Sequence, residues 1–363
     1  MANLLGDDPL PIGGEFALFD GDVRIVRNEQ RKYVPKGRGA YWVASGRDAL
    51  LALVGRYGLS QSDELLLPSY ICHEVIETLA PRVRVSFYPV KADLSVDIRS
   101  FESRIAPATR AVLLVHYFGF PHPQLQTMAR SCRDRGIALV EDCVQAAFTR
   151  VNGRGLGSVG DAAFTSLRKF LPIPDGSWLV TRSRFPMRLQ ESPAHRFYVE
   201  RRGAVLRIKG LSHQYARCVP DSVFKEAFAL AEQAFGYRKP APMGKVSLHL
   251  LRRFPLDAWA RQRRKNYRQL LLLLPSKVKP LFCQLHAGVV PLGLPILARH
   301  RDALQQELAD ERIYAPVHWR LRGVPKEYEV AWNLSEHELT LPIDQRYRSS
   351  EIKRIAKAVR RYA

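Results

Sequence analysis

The chain has 363 residues, 46% of them hydrophobic, which is enough to bury a large core and suggests one large domain followed by a smaller one. Fifty-six Lys and Arg against 35 Asp and Glu give a formal charge of +21, a field that attracts phosphates, nucleotides, nucleic acid or an anionic surface without choosing among them. The five cysteines (Cys72, Cys132, Cys143, Cys218, Cys283) are scattered, odd in number and without zinc-like spacing, which speaks against a disulfide scaffold or a metal centre and for a reducing cytoplasm.

The N-terminal MANLLGDDPLPIGGEF has neither the basic start nor the apolar run of a signal peptide. The apolar run LLLLL at 270–274 falls far short of the roughly 20 residues of a membrane span. From 45 to about 180, short apolar runs alternate with helix-like segments, the pattern of βα units feeding a mainly parallel sheet. The runs read as strands are ELLL at 64–67, VSFY at 85–88, AVLLV at 111–115, IALV at 137–140, AAFTSL at 162–167 and WLVT at 178–181.

A helix after Ser45 puts Leu50, Leu51, Val54 and Tyr57 on one side and stops at Gly58. Another, from Pro123 to Arg135, carries Leu125, Met128, Ala129 and Cys132 on one stripe and ends at Gly136. The basic stretch 183–243 breaks the alternation and is expected to hold helices crossing the sheet; its charge, like that of 252–268, is read first as solvated helix faces. Beyond about 255 come a helix through RQRRKNYRQLLLLL, a helix at 299–309, a short strand near IYAPVHW and a terminal helix SSEIKRIAKAVRRYA. These predict a smaller α+β domain at 256–363 after a large α/β domain at 1–255.

Ligands of open α/β sheets lie at the carboxyl ends of the strands, so the polar residues after each apolar run are the candidates for chemistry. In ASGRDALLAL, Ser45 can N-cap a helix and Gly46 lets backbone N–H groups approach a phosphate, although Ser-Gly before a helix is commonly only a cap. In ALVEDCVQAAF, Asp142 ends a buried strand, with Gln145 three residues on. A carboxylate there needs a cationic partner, and a protonated pyridine nitrogen is one; the bland alternative is a capping Asp. In AFTSLRKFLPIPDGSWLV, Lys169 is held at a strand end by a Pro/Gly-rich loop that blocks helix formation. A lysine so placed can bind a cofactor aldehyde and then move a proton, although most lysines beside an arginine are simply exposed. His116 and Tyr70, in LVHYFGFP and LLLPSYICHE, suit a lined pocket and equally suit the core.

The order of SGR at 45–47, PSY at 68–70, VHYFG at 115–119, EDCVQ at 141–145 and GSVGD at 157–161 leading to Lys169 resembles the DegT-like (DegT/StrS) sugar aminotransferases, which are fold type I pyridoxal-phosphate (PLP) enzymes. VHW at 317–319 and LPIDQRY at 341–347 extend the resemblance into the C-terminal part. It implies a Schiff base on Lys169, Asp142 on the pyridine nitrogen, Gln145 near the ring, and Gly46, Arg47 and a hydroxyl of Thr165 or Ser166 on the phosphate; Ser45 in the same turn, and Tyr70 as an aromatic that can pack on a flat ring, complete the candidate cofactor set. It also implies a homodimer that takes an amino group from a donor such as glutamate to a nucleotide-linked keto-sugar, as in polysaccharide or antibiotic biosynthesis.

Three departures stand out. The serine usually five residues before the lysine is displaced, the Asn-Tyr-Arg segment that reaches the partner subunit is replaced near KVSLHLLRR, where Ser247 is a candidate, and the loop after Lys169 reads LPIPDGS. The competing readings are a PLP-dependent sugar dehydratase, against which Lys169 speaks where a histidine belongs, and a non-catalytic anion- or nucleic-acid-binding relative. The retained Asp142, Gln145 and Lys169 make nucleic acid the weaker partner.

Overall fold

The computed structural model describes residues 11–362 apart from 24, 36, 38, 214–220 and 234–238, so Cys218 lies outside the described residues. Its centre is a seven-stranded sheet of β1 (Gly39–Val43), β2 (Glu64–Pro68), β3 (Arg84–Tyr88), β4 (Thr109–Val115), β5 (Ala138–Asp142), β6 (Ala162–Phe164) and β7 (Ser177–Thr181), in the spatial order β1-β7-β6-β5-β4-β2-β3. The run from β6 to β3 is parallel, whereas β7 pairs antiparallel with both β6 and β1. The strands read from the sequence all form. Their near-continuous apolar character follows from burial on both faces; Leu65, Leu66, Leu67 and the stretch Ala111–Val115 are all buried.

β1 escaped the sequence reading, which began at residue 45, although AYWV is an apolar run; it pairs antiparallel with β7 at one edge of the sheet. The AAFTSL run ends early, at Phe164, because Leu167–Lys169 winds into a single 3-10 turn. Helix α1 (Gly46–Arg56) follows β1 and ends before Gly58, whose φ of +60° is the left-handed stop that glycine favours. The segment 183–243 contains the helices Pro193–Leu211 and Asp221–Gln233, which pack on each other through Val205, Leu206, Phe224 and Phe228 with Phe16.

The C-terminal part carries the helix Leu256–Leu273, a three-stranded antiparallel sheet (Lys279–Pro280, Leu294–Leu297, Glu338–Leu341), the helices Arg301–Asp310 and Glu329–His337, and the terminal helix Ser349–Tyr362. The expected strand near IYAPVHW forms at Ile313–Tyr314, but it pairs in parallel with Ile12–Gly13. Gly13 is required there: its φ is +91°, and a Cβ would sit 2.1 Å from the Tyr314 carbonyl oxygen. This pairing carries the N-terminal arm to the edge of the site. Among the described residues, no helix is long and apolar enough to cross a membrane.

Candidate active site

The carboxyl ends of β5 and β6 and the N-terminus of α1 converge. Gly46 is packed so closely against the ends of β5 and β6 that a Cβ would lie 3.3 Å from Val144 and 3.4 Å from the Phe164 ring. Ser45 caps α1, accepting from the Asp48 amide at 3.2 Å and donating to the Asp48 carboxylate, while Asp48 also accepts from the Ala241 amide. The same turn is tied to the loop after Lys169, because the Gly176 amide donates to the Ala44 carbonyl at 2.7 Å.

Asp142 is buried, and one of its oxygens accepts from the Val144 amide at 2.8 Å. Burial pushes its carboxyl up to about 6, although the Val144 amide and the nearby Lys169 and His116 pull the other way. Gln145 accepts from the Phe118 amide at 2.7 Å and so holds that residue in its left-handed conformation, φ +53°. The amide nitrogen of Gln145 is buried with no hydrogen-bond partner among the described residues. Lys169 lies in the 3-10 turn after β6, and its charge acts on Asp142, Cys72, Glu74 and His318. Arg47 acts on the same Glu74 carboxylate, which brings the α1 turn and the lysine to one place.

The hydroxyl of Thr165 donates to the Cys143 carbonyl at 2.8 Å, whereas Ser166 caps no helical amide with its side chain. Tyr70 is fully buried, its ring centroid 5.4 Å from Trp319 and 5.9 Å from Tyr117. In its segment, Cys72 and Glu74 are the residues that feel Lys169.

His116 is a satisfied core histidine. Its Nδ1 accepts from the His122 amide at 3.0 Å, which puts the proton on Nε2, 2.9 Å from Glu141. Glu141 also accepts from the amides of Gly157, Val159 and Gly160, so the EDCVQ and GSVGD motifs form one hydrogen-bonded unit. Burial raises the Glu141 carboxyl, but His116 and these amides more than offset it and hold the group below the usual carboxylate range. His116, Glu141 and Cys143 are close enough to hold a metal, yet both imidazole nitrogens and Glu141 are already engaged, and burial pushes the Cys143 thiol up, away from thiolate. Ser247 is fully buried and gives its hydroxyl to Asp175 in the LPIPDGS loop, which also accepts from His195 Nε2 at 3.1 Å and the Gly244 amide at 2.9 Å.

Beside Lys169 opens a cavity of about 300 Å³, lined among others by Arg168, Arg202, Arg263 and Arg346, with Glu15 and Asp344 as its carboxylates. Arg346 grips Asp344 through two nitrogens at 2.8 and 2.9 Å, and Arg202 reaches Glu15 at 2.7 Å. Arg263, fully buried, bonds Gln345 and the Leu292 carbonyl; burial lowers its pKa to about 10. His318, on the same wall, faces the Thr340 hydroxyl through Nδ1 at 2.9 Å, and Thr340 donates on to Glu338. Burial, then Lys169, lowers His318 to about 3, and burial lifts Glu338 to about 8. Sequence reasoning did not single out these arginines, Glu15, His318 or Glu338. VHW and LPIDQRY, noted only as part of a resemblance, were the signal that contained His318, Asp344 and Arg346.

A model of the DegT/DnrJ/EryC1/StrS aminotransferase family matches residues 28–360. A UDP-N-acetyl-3-dehydro-alpha-D-glucosamine 3-aminotransferase of Acidithiobacillus ferrooxidans is 26% identical over 336 residues, 88% of this chain and 82% of that protein. A dTDP-3-amino-3,6-dideoxy-alpha-D-galactopyranose transaminase of Aneurinibacillus thermoaerophilus is 22% identical over 334 residues, covering 88% and 84%. Among solved structures, the PLP-form of Spr1654 from Streptococcus pneumoniae superposes with a TM-score of 0.70 at 14% identity, covering 98% of this chain and 100% of that one. DesV of S. venezuelae, solved with a ketimine intermediate, gives 0.68 at 21% identity, covering 97% and 90%. At these identities the structural likeness establishes the fold.

Proposed function

The chain belongs to the DegT/DnrJ/EryC1/StrS aminotransferase family, and from that premise we propose that it is a PLP-dependent transaminase that moves an amino group, with glutamate the first choice of donor, onto a keto-sugar carried by a nucleotide. The carrying observation is Lys169 at the end of β6, electrostatically coupled to the buried Asp142 and facing an arginine-lined cavity. The proposal includes a homodimer in the cytoplasm, as the resemblance and the cysteine usage imply, with the cofactor held by residues 1–255 and 256–363 as the small domain.

The residues fit the cofactor. Gln145 has a buried amide nitrogen short of an acceptor, Asp142 is a buried carboxyl short of a cation, and Gly46 begins a helix whose first backbone N–H groups can receive a phosphate. Bound there, PLP supplies an electron sink for charge developing on substrate carbon. Lys169 would carry the cofactor covalently and, once released, its amine would take the donor's α-proton in the first half of the reaction and supply a proton to the acceptor carbon in the second. Asp142 would keep the pyridine nitrogen protonated, Gln145 would orient the ring, and the Ser45–Arg47 turn with Ser166 would hold the phosphate. Ser166 is preferred to Thr165 because the Thr165 proton is already given to Cys143. Arg168, Arg202, Arg263 and Arg346 outnumber Glu15 and Asp344 in the cavity, a balance suited to the donor's carboxylates or the acceptor's diphosphate.

The holoenzyme, given glutamate and a nucleotide-linked keto-sugar, should form 2-oxoglutarate in equal amount with an aminated sugar nucleotide. A sugar that loses a hydroxyl without 2-oxoglutarate would hand the site to the dehydratase reading. Ser166→Ala is expected to weaken PLP binding about tenfold, the loss of one charge-assisted hydrogen bond, while Thr165→Val should change it less. Equal losses in an apoprotein titration would undo that preference.

Asp142 gives a pH dependence. Above about 6 it is a carboxylate that attracts the ring nitrogen, and below that value it is neutral. PLP affinity should therefore fall as pH drops through about 6, and Asp142→Asn should bind PLP more weakly at pH 8 and lose most of this dependence. An Asp142→Asn titration as steep as wild type would assign the dependence elsewhere.

A further inference from the structure

At the opposite end of the central strands from Lys169 lies a second cleft of about 420 Å³, bordered by Arg56, Tyr57, Arg110, Arg133, Asp161 and Arg182. It sits where β5 begins, at Ala138, and Asp142 ends that strand roughly 13 Å away at about 3.3 Å per residue. Asp161 precedes β6, whereas Lys169 follows it. The cleft is therefore separate from the arginine-lined cavity of the proposed active site.

Three of its four guanidinium groups are pinned in position. Arg56 donates to the Ser183 hydroxyl at 2.7 Å and lies over the Phe185 ring at 5.4 Å and the Tyr57 ring at 5.8 Å. Arg182 is fixed on the carbonyls of Gly160 and Val159, at 3.1 and 2.6 Å, with Asp161 at 3.5 Å. Arg110 bonds Asp63 at 3.3 Å. Arg133 is exposed at the end of its helix, and its side chain forms no hydrogen bond or ion pair with another described residue. The lone carboxylate of the lining, Asp161, is itself engaged by the Leu139 amide at 2.9 Å. Four guanidinium groups, three of them pinned, outnumber the carboxylates that engage them, Asp161 in the lining and Asp63 beside Arg110; that balance suits a multiply charged oxyanion, and the pinned side chains lose little rotamer entropy when it binds.

We propose that this cleft is a binding site for a small molecule carrying a diphosphate group, separate from the reaction centre. The concavity favours a small ligand over a polymer or a bilayer, because its volume falls within the roughly 300–1,000 Å³ of small-molecule sites and the charges border one pocket. Tyr57 at the border offers an aromatic face to the remainder of such a molecule. Its hydroxyl lies within the influence of Asp161, Arg56 and Arg182; burial first, then Asp161, raises its pKa to about 12, so it stays protonated and able to donate.

The probe is inorganic pyrophosphate, titrated calorimetrically into the PLP-loaded enzyme. Wild type should show a binding class that Arg133→Ala weakens about tenfold and Arg56→Ala/Arg133→Ala about a hundredfold, one charge-assisted contact each. Because Arg133 supports nothing else in the fold, R133A should keep the wild-type melting temperature and turnover. Identical pyrophosphate isotherms for wild type and R133A would overturn the proposal, since all binding would then lie in the active-site cavity. Absence of pyrophosphate binding, with R133A-sensitive binding to phosphatidylserine vesicles or single-stranded DNA, would overturn it in favour of a macromolecular partner.

Discussion

Lys169→Ala is expected to lower transamination by about ten-thousand-fold or more, because one side chain is proposed both to hold the cofactor and to move the proton. PLP added to the variant should remain dialysable and resist fixation by borohydride. Lys169→Arg separates charge from chemistry: a guanidinium keeps the positive field felt by Asp142 and His318, but it is neither a nucleophilic amine nor a base at neutral pH. Both variants should be equally dead, with steady-state formation of 2-oxoglutarate as the measurement. Activity in either variant within tenfold of wild type would remove Lys169 from the centre of the mechanism.

The largest effect on stability is expected at Glu141, which never touches substrate in this scheme. Glu141→Ala removes the acceptor from three backbone amides and the His116 imidazole, all buried except the partly buried Val159 amide. Stranding such donors, together with the cavity left behind, should cost about 3–5 kcal/mol, read as a lowered midpoint in urea. Glu141→Gln should lose less, since its amide oxygen still accepts, but its NH2 group would face donors.

Because the Glu141 pKa is lowered in the folded state, Glu141 contributes stability at pH values above its unfolded pKa, about 4.3, and that contribution is lost as pH falls through the still lower folded value. Glu141→Ala should therefore flatten the acid limb of the stability profile. A wild-type midpoint with an unchanged acid limb would mean that the GSVGD loop is held by something else. Activity should fall alongside stability, because the His116 amide donates to the Asp142 carbonyl at 3.0 Å and Glu141 neighbours Asp142 on the strand.

Glu141 also shows why part of the site was illegible in the sequence. Within EDCVQ, Asp142 could be read as functional because it ends an apolar run, where open α/β sheets place ligands. Its neighbour's role depends on a loop some 16 to 19 residues later folding back to offer its amides, and no local pattern encodes that return. His116 illustrates the same limit. Its position at a strand end allowed a pocket role, and the proximity of Glu141 and the His122 amide made it a core hydrogen-bond hub.

What the sequence by itself determined is the alternation of apolar runs and helices that builds the central sheet, and it offered as site candidates the strand-end residues Asp142, Gln145, Thr165 or Ser166, and Lys169 together with the Ser45–Arg47 turn. These are local signals: burial on both faces makes a parallel strand continuously apolar, and the first polar residue after it is left at the ligand edge. The tertiary structure alone decided the arginine cavity. Its walls come from the N-terminal arm through Glu15, the helix Pro193–Leu211 through Arg202, the helix Leu256–Leu273 through Arg263, and the stretch after the last strand through Arg346. Each of these is one basic or acidic residue among many in a chain of charge +21. Only packing that buries a particular few of them at hydrogen-bond distance from partners distant in sequence separates a binding wall from a solvated surface.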